Sequence, residues 1–515
     1  MGSKIRLFID QYLVLIILLI VKFILQFLFV NPVYELHRDE FLHLGQANHL
    51  SFGYISVPPF TSWISKIIYL FGGSIFWVRF FPALFGVLTI VFAWLLVERL
   101  GGKLFSKILV SCALLFSVLM RLNILFQPNS FEILAWTIIF YLLVTYIKTE
   151  QPKWVIYCAF VIVLGFYNKY NIAFPLIGLL VGFLVLPQRK LFTDKIFWKA
   201  LILILVLVLP NVIWQFLHHL PVIHHMQRLK ETQLDNNTTL GFLKGQLVFF
   251  LGSLPLIIAA FIAFINYKPF RPYRFVGIAF IVAIILFALL KAKDYYAAGL
   301  YPALLAFGSV YIEKVLWQGR KIYIGYALIL MNFALFIMVS KYLFPVLEPL
   351  SIVENKAGFE RMGMLRWEDG KNHALPQDFA DMIGWKEMAQ KSLTAYNTLS
   401  NKEKDQTLVF CDNYGQTGAL NYYNRNKMAE AYSFNTDYIF WLPRMVKIKN
   451  VLLVGDKPSS EILALFKNCT LIGVVENGYA REKGTGIYLL TGANDEFTPL
   501  FYQMADKRIS QFNIF

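Results

Sequence analysis

Residues 11–44 read QYLVLIILLIVKFILQFLFVNPVYELHRDEFLHL, an apolar run followed by a loop that carries the acidic pair Asp39-Glu40. About 20 consecutive apolar residues suffice for a helix to cross a bilayer. A carboxylate at the water side of such a helix is costly to hold near lipid and is a functional-site candidate. The stretch GYISVPP follows at 53–59. We therefore expect a membrane protein with chemistry in its first loop.

The composition is that of a membrane protein. Hydrophobic residues make up 57% and charged residues 16% of the 515 positions, with 48 Phe. Apolar segments predict about eleven transmembrane helices, near 10–30, 76–97, 105–122, 131–147, 153–167, 171–187, 197–217, 243–266, 274–291, 295–312 and 322–344. They predict an all-α polytopic domain over 1–344, with 31–75 as its first extracytoplasmic loop.

Basic loops set the predicted orientation. The formal net charge is +16, but the excess lies in short loops between apolar segments, which argues against nucleic-acid binding. With the N-terminus inside, these loops all face the cytoplasm, as the positive-inside rule requires. They hold Arg99, Lys103 and Lys107; Lys148 and Lys153; Arg189, Lys190, Lys195 and Lys199; Lys268, Arg271 and Arg274; and Lys314, Arg320 and Lys321.

The composition changes to mixed polar sequence after residue 344, which predicts a separate soluble α/β domain over 345–515 on the extracytoplasmic side. Apolar runs at 407–411, 451–454 and 470–475 predict buried strands, and 377–399 predicts a helix. Cys411 and Cys469 both lie in this domain. The sequence leaves open whether they form a disulfide.

The first loop also predicts a short helix with one polar face. Asp39, His43 and Gln46 recur at helical spacing, so they lie on one side of a helix between residues 39 and 50. We expect that side to line a substrate cavity. The alternative is an interfacial helix with an ordinary solvated face.

A second group of polar residues lies at the predicted outer end of the ninth and tenth helices. Lys291 and Lys293 precede Tyr295 and Tyr296. Two ammonium groups beside phenol hydroxyls at headgroup level suit a membrane-anchored phosphate. The alternative is snorkelling lysines within an aromatic belt.

Two histidine pairs, His218-His219 and His224-His225, raise the question of a metal. Their spacing is not an established ligand pattern, and Pro221 between them prevents one continuous helix from presenting all four. No metal ligand is therefore predicted, no cofactor is certain, and a divalent cation remains possible.

The order of short motifs resembles that of the dolichyl-phosphate-mannose-protein mannosyltransferase superfamily, family 39-like glycosyltransferases of the GT-C class. The chain resembles a bacterial member of that superfamily, related to the lipid A aminoarabinose transferases. The motifs are Asp39-Glu40, Gly53-Tyr54, Pro58-Pro59, Phe71-Gly72, Val78-Arg79-Phe80, Asn168-Lys169-Tyr170, 210–214 and 293–302. The likeness runs through residues 1–315, and 411–420 also resembles the C-terminal domain of some bacterial members.

This resemblance implies a bacterial inner-membrane enzyme that transfers a sugar from a polyprenyl-phosphate donor to a protein, lipid or glycan acceptor. The implied catalytic residues are Asp39, as general base, and Glu40. The candidate ligands of the donor phosphate are Lys293, Lys291, Lys169, Arg79, Tyr295 and Tyr296. The candidate residues of the substrate cavity are His43, Tyr54, Pro58, Pro59 and Glu132.

The sequence departs from the family at two places. Ser56-Val57 stand where many relatives have an acidic residue and Lys or His, and Asn129 stands where many have Asp after a proline. Glu132, one turn further along, could substitute for that Asp. A transporter or flippase of lipid-linked sugars is the alternative function. The acids and histidines gather on one predicted side, which favours surface chemistry over passage.

Overall fold

A computed structural model describes residues 2–316 and 322–510, with side chains from residue 12 onward except at 322. Arg320 and Lys321, predicted to face the cytoplasm, lie outside the described residues. The chain forms two compact units. The first, the membrane unit, holds residues 1–30, 76–213 and 227–344, and the second, the mixed unit, holds residues 31–75, 214–226 and 345–515.

Helices dominate the described chain. In chain order they are α1 Gly2–Leu28, α2 Arg38–Gly45, α3 Phe60–Leu70, α4 Ile75–Arg99, α5 Leu104–Leu115, α6 Leu119–Leu122, α7 Pro128–Thr149, α8 Lys153–Asn168, α9 Ala173–Val185, α10 Lys195–Leu217, α11 Pro221–Thr232, α12 Thr239–Phe249, α13 Leu254–Asn266, α14 Arg274–Leu289, α15 Tyr301–Leu316, α16 Ile322–Leu343, α17 Pro349–Glu354, α18 Lys356–Arg361, α19 Gln377–Ala380, α20 Trp385–Asn397, α21 Asn401–Lys404, α22 Tyr414–Tyr423, α23 Ser460–Leu463 and α24 Phe497–Ser510.

Each predicted transmembrane segment falls on an apolar helix, but the helices differ in length. Within the described residues, six helical stretches are long and apolar enough to cross a membrane, and two bent helix pairs bring the number to eight if each pair is one span. Three further apolar helices, at Tyr12–Leu28, Leu104–Leu115 and Lys153–Asn168, are shorter. The count of eleven crossings is therefore not confirmed and stays a prediction.

Glycines allow close helix packing in the membrane unit. Helix α9 packs on α14, and α13 packs on α15. A Cβ on Gly178 would collide with the backbone of Ala279, and one on Gly308 would collide with the backbone of Leu256. Small residues let helix backbones approach where lipid provides no hydrophobic drive for association.

The mixed unit is built on a five-stranded sheet of order β2-β1-β3-β5-β4. Its strands are β1 Thr407–Cys411, β2 Ala431–Tyr432, β3 Asn450–Gly455, β4 Asn468–Val474 and β5 Gly486–Thr491. Strands β2, β1 and β3 are parallel, whereas β5 runs antiparallel to β3 and β4. The three predicted strands correspond to β1, β3 and β4, which confirms a small α/β sheet. The predicted burial is wrong for β4, because most of its residues are exposed.

The prediction of one continuous helix over 377–399 is wrong. It is divided into α19 and α20, because Gly384 adopts φ +91° between them. A Cβ at Gly384 would also contact Ala480. The left-handed region favours glycine. Gly384 is the N-cap of α20, whereas α19 already ends at Ala380.

The cysteines of the mixed unit are not joined. Cys411 is buried on β1, Cys469 is exposed on β4, and both are free thiols. Strands β3 and β5 lie between β1 and β4. Neighbouring strands are about 4.8 Å apart, so the two Cα atoms lie beyond the reach of a disulfide.

Candidate functional site

The acidic pair lies at the start of α2, in the mixed unit. His37 is the N-cap of this helix, and its Nδ1 accepts a hydrogen bond from the Asp39 N–H at 3.1 Å. The Glu40 Oε2 atom accepts a hydrogen bond from the His37 N–H at 2.6 Å, and Glu40 is fully buried. This reciprocal arrangement is a capping box. It gives Glu40 a structural role in holding the helix that carries Asp39.

Asp39 points toward the C-terminal part of the same unit. The Tyr414 hydroxyl donates a hydrogen bond to Asp39 Oδ1 at 2.7 Å. The second oxygen, Oδ2, lies 3.9 Å from His37 Nδ1, and the side chain remains 38% exposed. The Arg38 guanidinium lies over the Tyr414 ring, 4.4 Å from its centre. Asp39 is therefore held in one place while part of its carboxylate can reach solvent.

The surroundings of Asp39 keep it ionised. Burial by itself would raise the pKa of this carboxyl, but the neighbouring His37, the hydrogen bond from Tyr414 and the charge of Arg38 together lower the pKa below its usual value. Hydrogen bonds to a carboxylate and nearby cations favour its charged form. Asp39 is thus a carboxylate at neutral pH, which is the state a general base requires.

A second buried carboxylate holds the first loop in place. Asp437 Oδ1 accepts a hydrogen bond from the Ile55 N–H at 2.6 Å, and its Oδ2 accepts one from Gln46 Nε2 at 2.8 Å. Burial raises the pKa of Asp437 to about 6. Gln46 Oε1 also lies 3.5 Å from His43 Nδ1. The predicted polar face is thus formed, but His43 and Gln46 are buried.

Most of the motif at 53–59 is also buried within the mixed unit, and Ser56 and Val57 are half-buried. The Tyr54 hydroxyl donates to the His49 carbonyl at 2.9 Å and accepts from the Ser51 N–H at 3.1 Å. Pro58 and Pro59 are buried at the start of α3, and the Pro59 carbonyl accepts a hydrogen bond from Ser62. These contacts give Tyr54 and Pro59 a role in shaping the loop.

Polar groups of the membrane unit gather around Lys169. Its ammonium donates to Glu132 Oε2 and to Asn129 Oδ1, each at 3.0 Å. The same Nζ atom lies 4.3 Å from the Tyr296 ring centre and 5.4 Å from the Tyr295 ring centre. Four of the predicted site residues, Lys169, Glu132, Tyr295 and Tyr296, are therefore brought together. The buried Glu132 carboxylate offsets much of the charge on Lys169.

The other basic residues of this unit that were predicted to bind the donor phosphate have different environments. Lys291 is exposed at φ +50° and follows Leu290, the C-cap of α14. Lys293 is half-buried and precedes a short 3-10 helix at Asp294–Leu300. Arg79 is buried on α4. Lys291 is therefore more accessible to a solvent-borne anion than Arg79.

The histidine pairs do not form a metal centre in the described part of the chain, where no three His, Cys, Asp or Glu side chains lie together as ligands. The His218 ring instead stacks on Trp214, with 4.1 Å between ring centres. His219 and Leu220 have positive φ, so the chain turns sharply before α11.

Three residues were not predicted as members of a site: Tyr414, Asn129 and Asp437. Tyr414 follows Asn413, whose side chain caps α22 directly after β1. Such a strand-to-helix turn is a common place for functional side chains in α/β sheets. That signal could have identified Tyr414, whereas the roles of Asn129 and Asp437 depend on contacts distant in sequence.

Comparison with known proteins confirms the predicted resemblance. Residues 56–214 match the family model described as Dolichyl-phosphate-mannose-protein mannosyltransferase. No curated protein is significantly similar to the chain in sequence.

Solved structures share the fold. ArnT from Cupriavidus metallidurans in the apo state is 13% identical with a TM-score of 0.58, over 95% of this chain and 98% of ArnT. The same protein bound to undecaprenyl phosphate is 14% identical with a TM-score of 0.58, over 93% and 97%. An oligosaccharyltransferase from Archaeoglobus fulgidus is more distant, at 12% identity and a TM-score of 0.48 over 87% and 69%. The chain thus has an ArnT-like fold, consistent with the GT-C class.

Proposed function

We propose that this protein is an integral-membrane glycosyltransferase that takes a sugar from a polyprenyl-phosphate donor and passes it to a hydroxyl-bearing acceptor at the extracytoplasmic face. The observation that carries the proposal is an ionised, partly exposed Asp39 within an ArnT-like fold. The match of residues 56–214 to the mannosyltransferase family and the undecaprenyl phosphate bound by ArnT support the choice of donor.

In the proposed reaction, the acceptor oxygen attacks the anomeric carbon of the donor sugar. The bond between that carbon and the phosphate oxygen breaks, and its electron pair leaves with the polyprenyl phosphate. The Asp39 carboxylate takes the proton that the acceptor hydroxyl loses. A carboxylate within hydrogen-bond reach can act in this way as general base. The hydrogen bond from Tyr414 fixes Oδ1, and we assign Oδ2 as the atom that accepts the proton.

Positively charged side chains are needed to stabilise the negative charge that develops on the leaving phosphate. We assign Lys293 and Lys291 as its principal ligands, with Lys169 and Arg79 as further candidates. Cations placed at developing negative charge stabilise a transition state. Glu132 already pairs with Lys169, so Lys169 contributes less free charge than its position alone implies. Tyr295 and Tyr296 would hold Lys169 in place and offer hydroxyl donors to the phosphate.

A donor titration tests the assignment of the lysines. The purified protein in nanodiscs would receive polyprenyl-phosphate-linked hexoses and pentoses, with envelope extract from a deletion strain as the acceptor. Lys293→Ala should raise KM for the donor about tenfold or more, because it removes a charge-assisted phosphate contact. Lys190→Ala, an exposed lysine of a predicted cytoplasmic loop, is the control. Unchanged kcat and KM in Lys293→Ala would make this residue a snorkelling lysine.

A further inference from the structure

A cavity lies in the mixed unit where the order of the parallel strands reverses. From β1 the chain passes through α22 to β2 on one side, and it then returns to β3 on the other side of β1. The carboxyl ends of β1 and β3 are therefore a topological switch point. In open α/β sheets this crevice is where ligands bind.

The walls of the cavity are apolar. Leu408 and Phe410 on β1 are in register with Val451 and Leu453 on β3, so all four side chains point to one face of the sheet. The remaining apolar lining residues are Phe434, Pro458, Ile462, Phe466, Leu490, Phe497, Phe501 and Met504. The cavity has a volume of about 360 Å³, within the range of small-molecule sites.

Several of these side chains are not fully buried in the core of the mixed unit. Phe410, Phe434, Leu453, Ile462 and Phe466 are only partly buried, although they pack against a buried cluster between the sheet and α24. A ligand that covers these apolar side chains removes more of their area from water, and this burial is favourable in free energy. This face of the sheet is therefore suited to an apolar ligand.

The mouth of the cavity is polar and carries two carboxylates. Asp412 follows β1, and its Oδ2 accepts a hydrogen bond from the Asp456 N–H at 2.6 Å. Asp456 and Lys457 follow β3 and also line the cavity. Among the described residues, Asp412 Oδ1 accepts no hydrogen bond from the protein. This carboxylate oxygen is thus available to a donor group at the cavity mouth.

The backbone beside Asp412 is adapted to this arrangement. Gly455 has φ +155°, and a Cβ at this position would collide with the Asp412 carboxylate. Only glycine allows so close an approach in this conformation. The placement of Asp412 at the mouth therefore depends on the residue that ends β3.

We propose that this cavity binds the chain of a single-tailed amphiphile whose head group donates hydrogen bonds to Asp412, as an amine or a sugar hydroxyl does. The apolar walls take the aliphatic chain. At the mouth the two carboxylates of Asp412 and Asp456 outnumber the single ammonium of Lys457, so the net negative charge selects against an anionic head. At about 30 Å³ for each water-sized group, the cavity holds on the order of ten methylene-sized groups. The site is separate from the proposed sugar transfer and does not depend on it.

A chain-length series tests the proposal on the full-length protein in nanodiscs. The probe is decylamine with a photoreactive diazirine in its chain, and peptide mass spectrometry locates the cross-links. Unlabelled alkylamines and alkyl glucosides of six to sixteen carbons compete with it. We expect cross-links at cavity residues and about fourfold stronger competition per methylene. For both head groups, the strength of competition should stop increasing near ten carbons, because a chain of that length fills the cavity.

Variants give a second test. Leu453→Trp should fill the cavity and reduce cross-linking at least tenfold, whereas Leu471→Trp on the exposed strand β4 should not. Asp412→Asn should weaken alkylamine competition about tenfold, with the exposed Asp405→Asn as control. Cross-links confined to the lipid-facing helices, a gain that continues to sixteen carbons, or decyl phosphate competing as well as decylamine would each overturn the proposal. The chain-length series stays decisive if Leu453→Trp does not fold.

Discussion

At the residue scale, Asp39 and Glu40 are adjacent but have different roles. Glu40 is fully buried and caps α2, whereas Asp39 keeps 38% of its side chain exposed and accepts a hydrogen bond from Tyr414. Successive helical residues point about 100° apart. The capping box therefore uses one carboxylate to hold the other at a fixed position on the protein surface.

Tyr414 provides the prediction at this scale. Tyr414→Phe removes the donor to Asp39 Oδ1, so the pKa of Asp39 should rise toward its ordinary value. Because the proposed base is active only when ionised, the acid limb of the profile of kcat against pH should move to higher pH. The phenyl ring preserves the packing under Arg38. A profile with an unmoved acid limb would mean that Tyr414 does not control the charge state of the base.

At the element scale, Asp437 ties the loop at 46–56 to the short 3-10 helix Thr436–Trp441. These segments are far apart in sequence but belong to one unit. Neither hydrophobic periodicity nor a local motif reports such a contact, because a buried hydrogen bond leaves no pattern along the chain. The same reason explains why Asn129 was read only as a departure from the family.

The raised pKa of Asp437 leads to a stability prediction. Its folded-state pKa of about 6 lies above the unfolded value near 4. The native state therefore binds more protons between these values, and this group lowers the free energy of unfolding as pH rises from about 4 to about 6. Asp437→Asn should remove that part of the pH dependence. Thermal melts of both proteins at pH 4, 5, 6 and 7 would measure it, and parallel curves would refute it.

Helix boundaries show how far the sequence predicts elements. Apolar runs located the apolar helices and the strands β1, β3 and β4. Hydrophobic burial leaves a direct record in the composition of β1 and β3, whereas β4 is apolar although most of it is exposed. The break at Gly384 was missed, since helical periodicity continues across it while only the backbone conformation changes. The bend between α12 and α13, of 70°, was missed for the same reason.

At the scale of the whole molecule, membrane orientation can be tested with single thiols. Cys469 is exposed and free, so an impermeant thiol reagent applied to the outside of intact cells should label it if residues 345–515 are extracytoplasmic. A cysteine at exposed position 190, in a Cys469→Ser background, should react only after permeabilisation. Leu420 is fully buried and would be a poor reporter. Labelling of position 190 from outside, with Cys469 protected, would reverse the predicted topology.

Asp39 is proposed as the base of a sugar transfer from a polyprenyl-phosphate donor. The most direct measurement is transfer by purified Asp39→Asn, Glu40→Gln and wild-type protein, with donor binding and melting temperature measured in parallel. General-base contributions are about 10² to 10⁴-fold. Asp39→Asn should lose that much turnover while it folds and binds donor, and Glu40→Gln should lose much less. Near-normal transfer by Asp39→Asn would show that Asp39 is not the base.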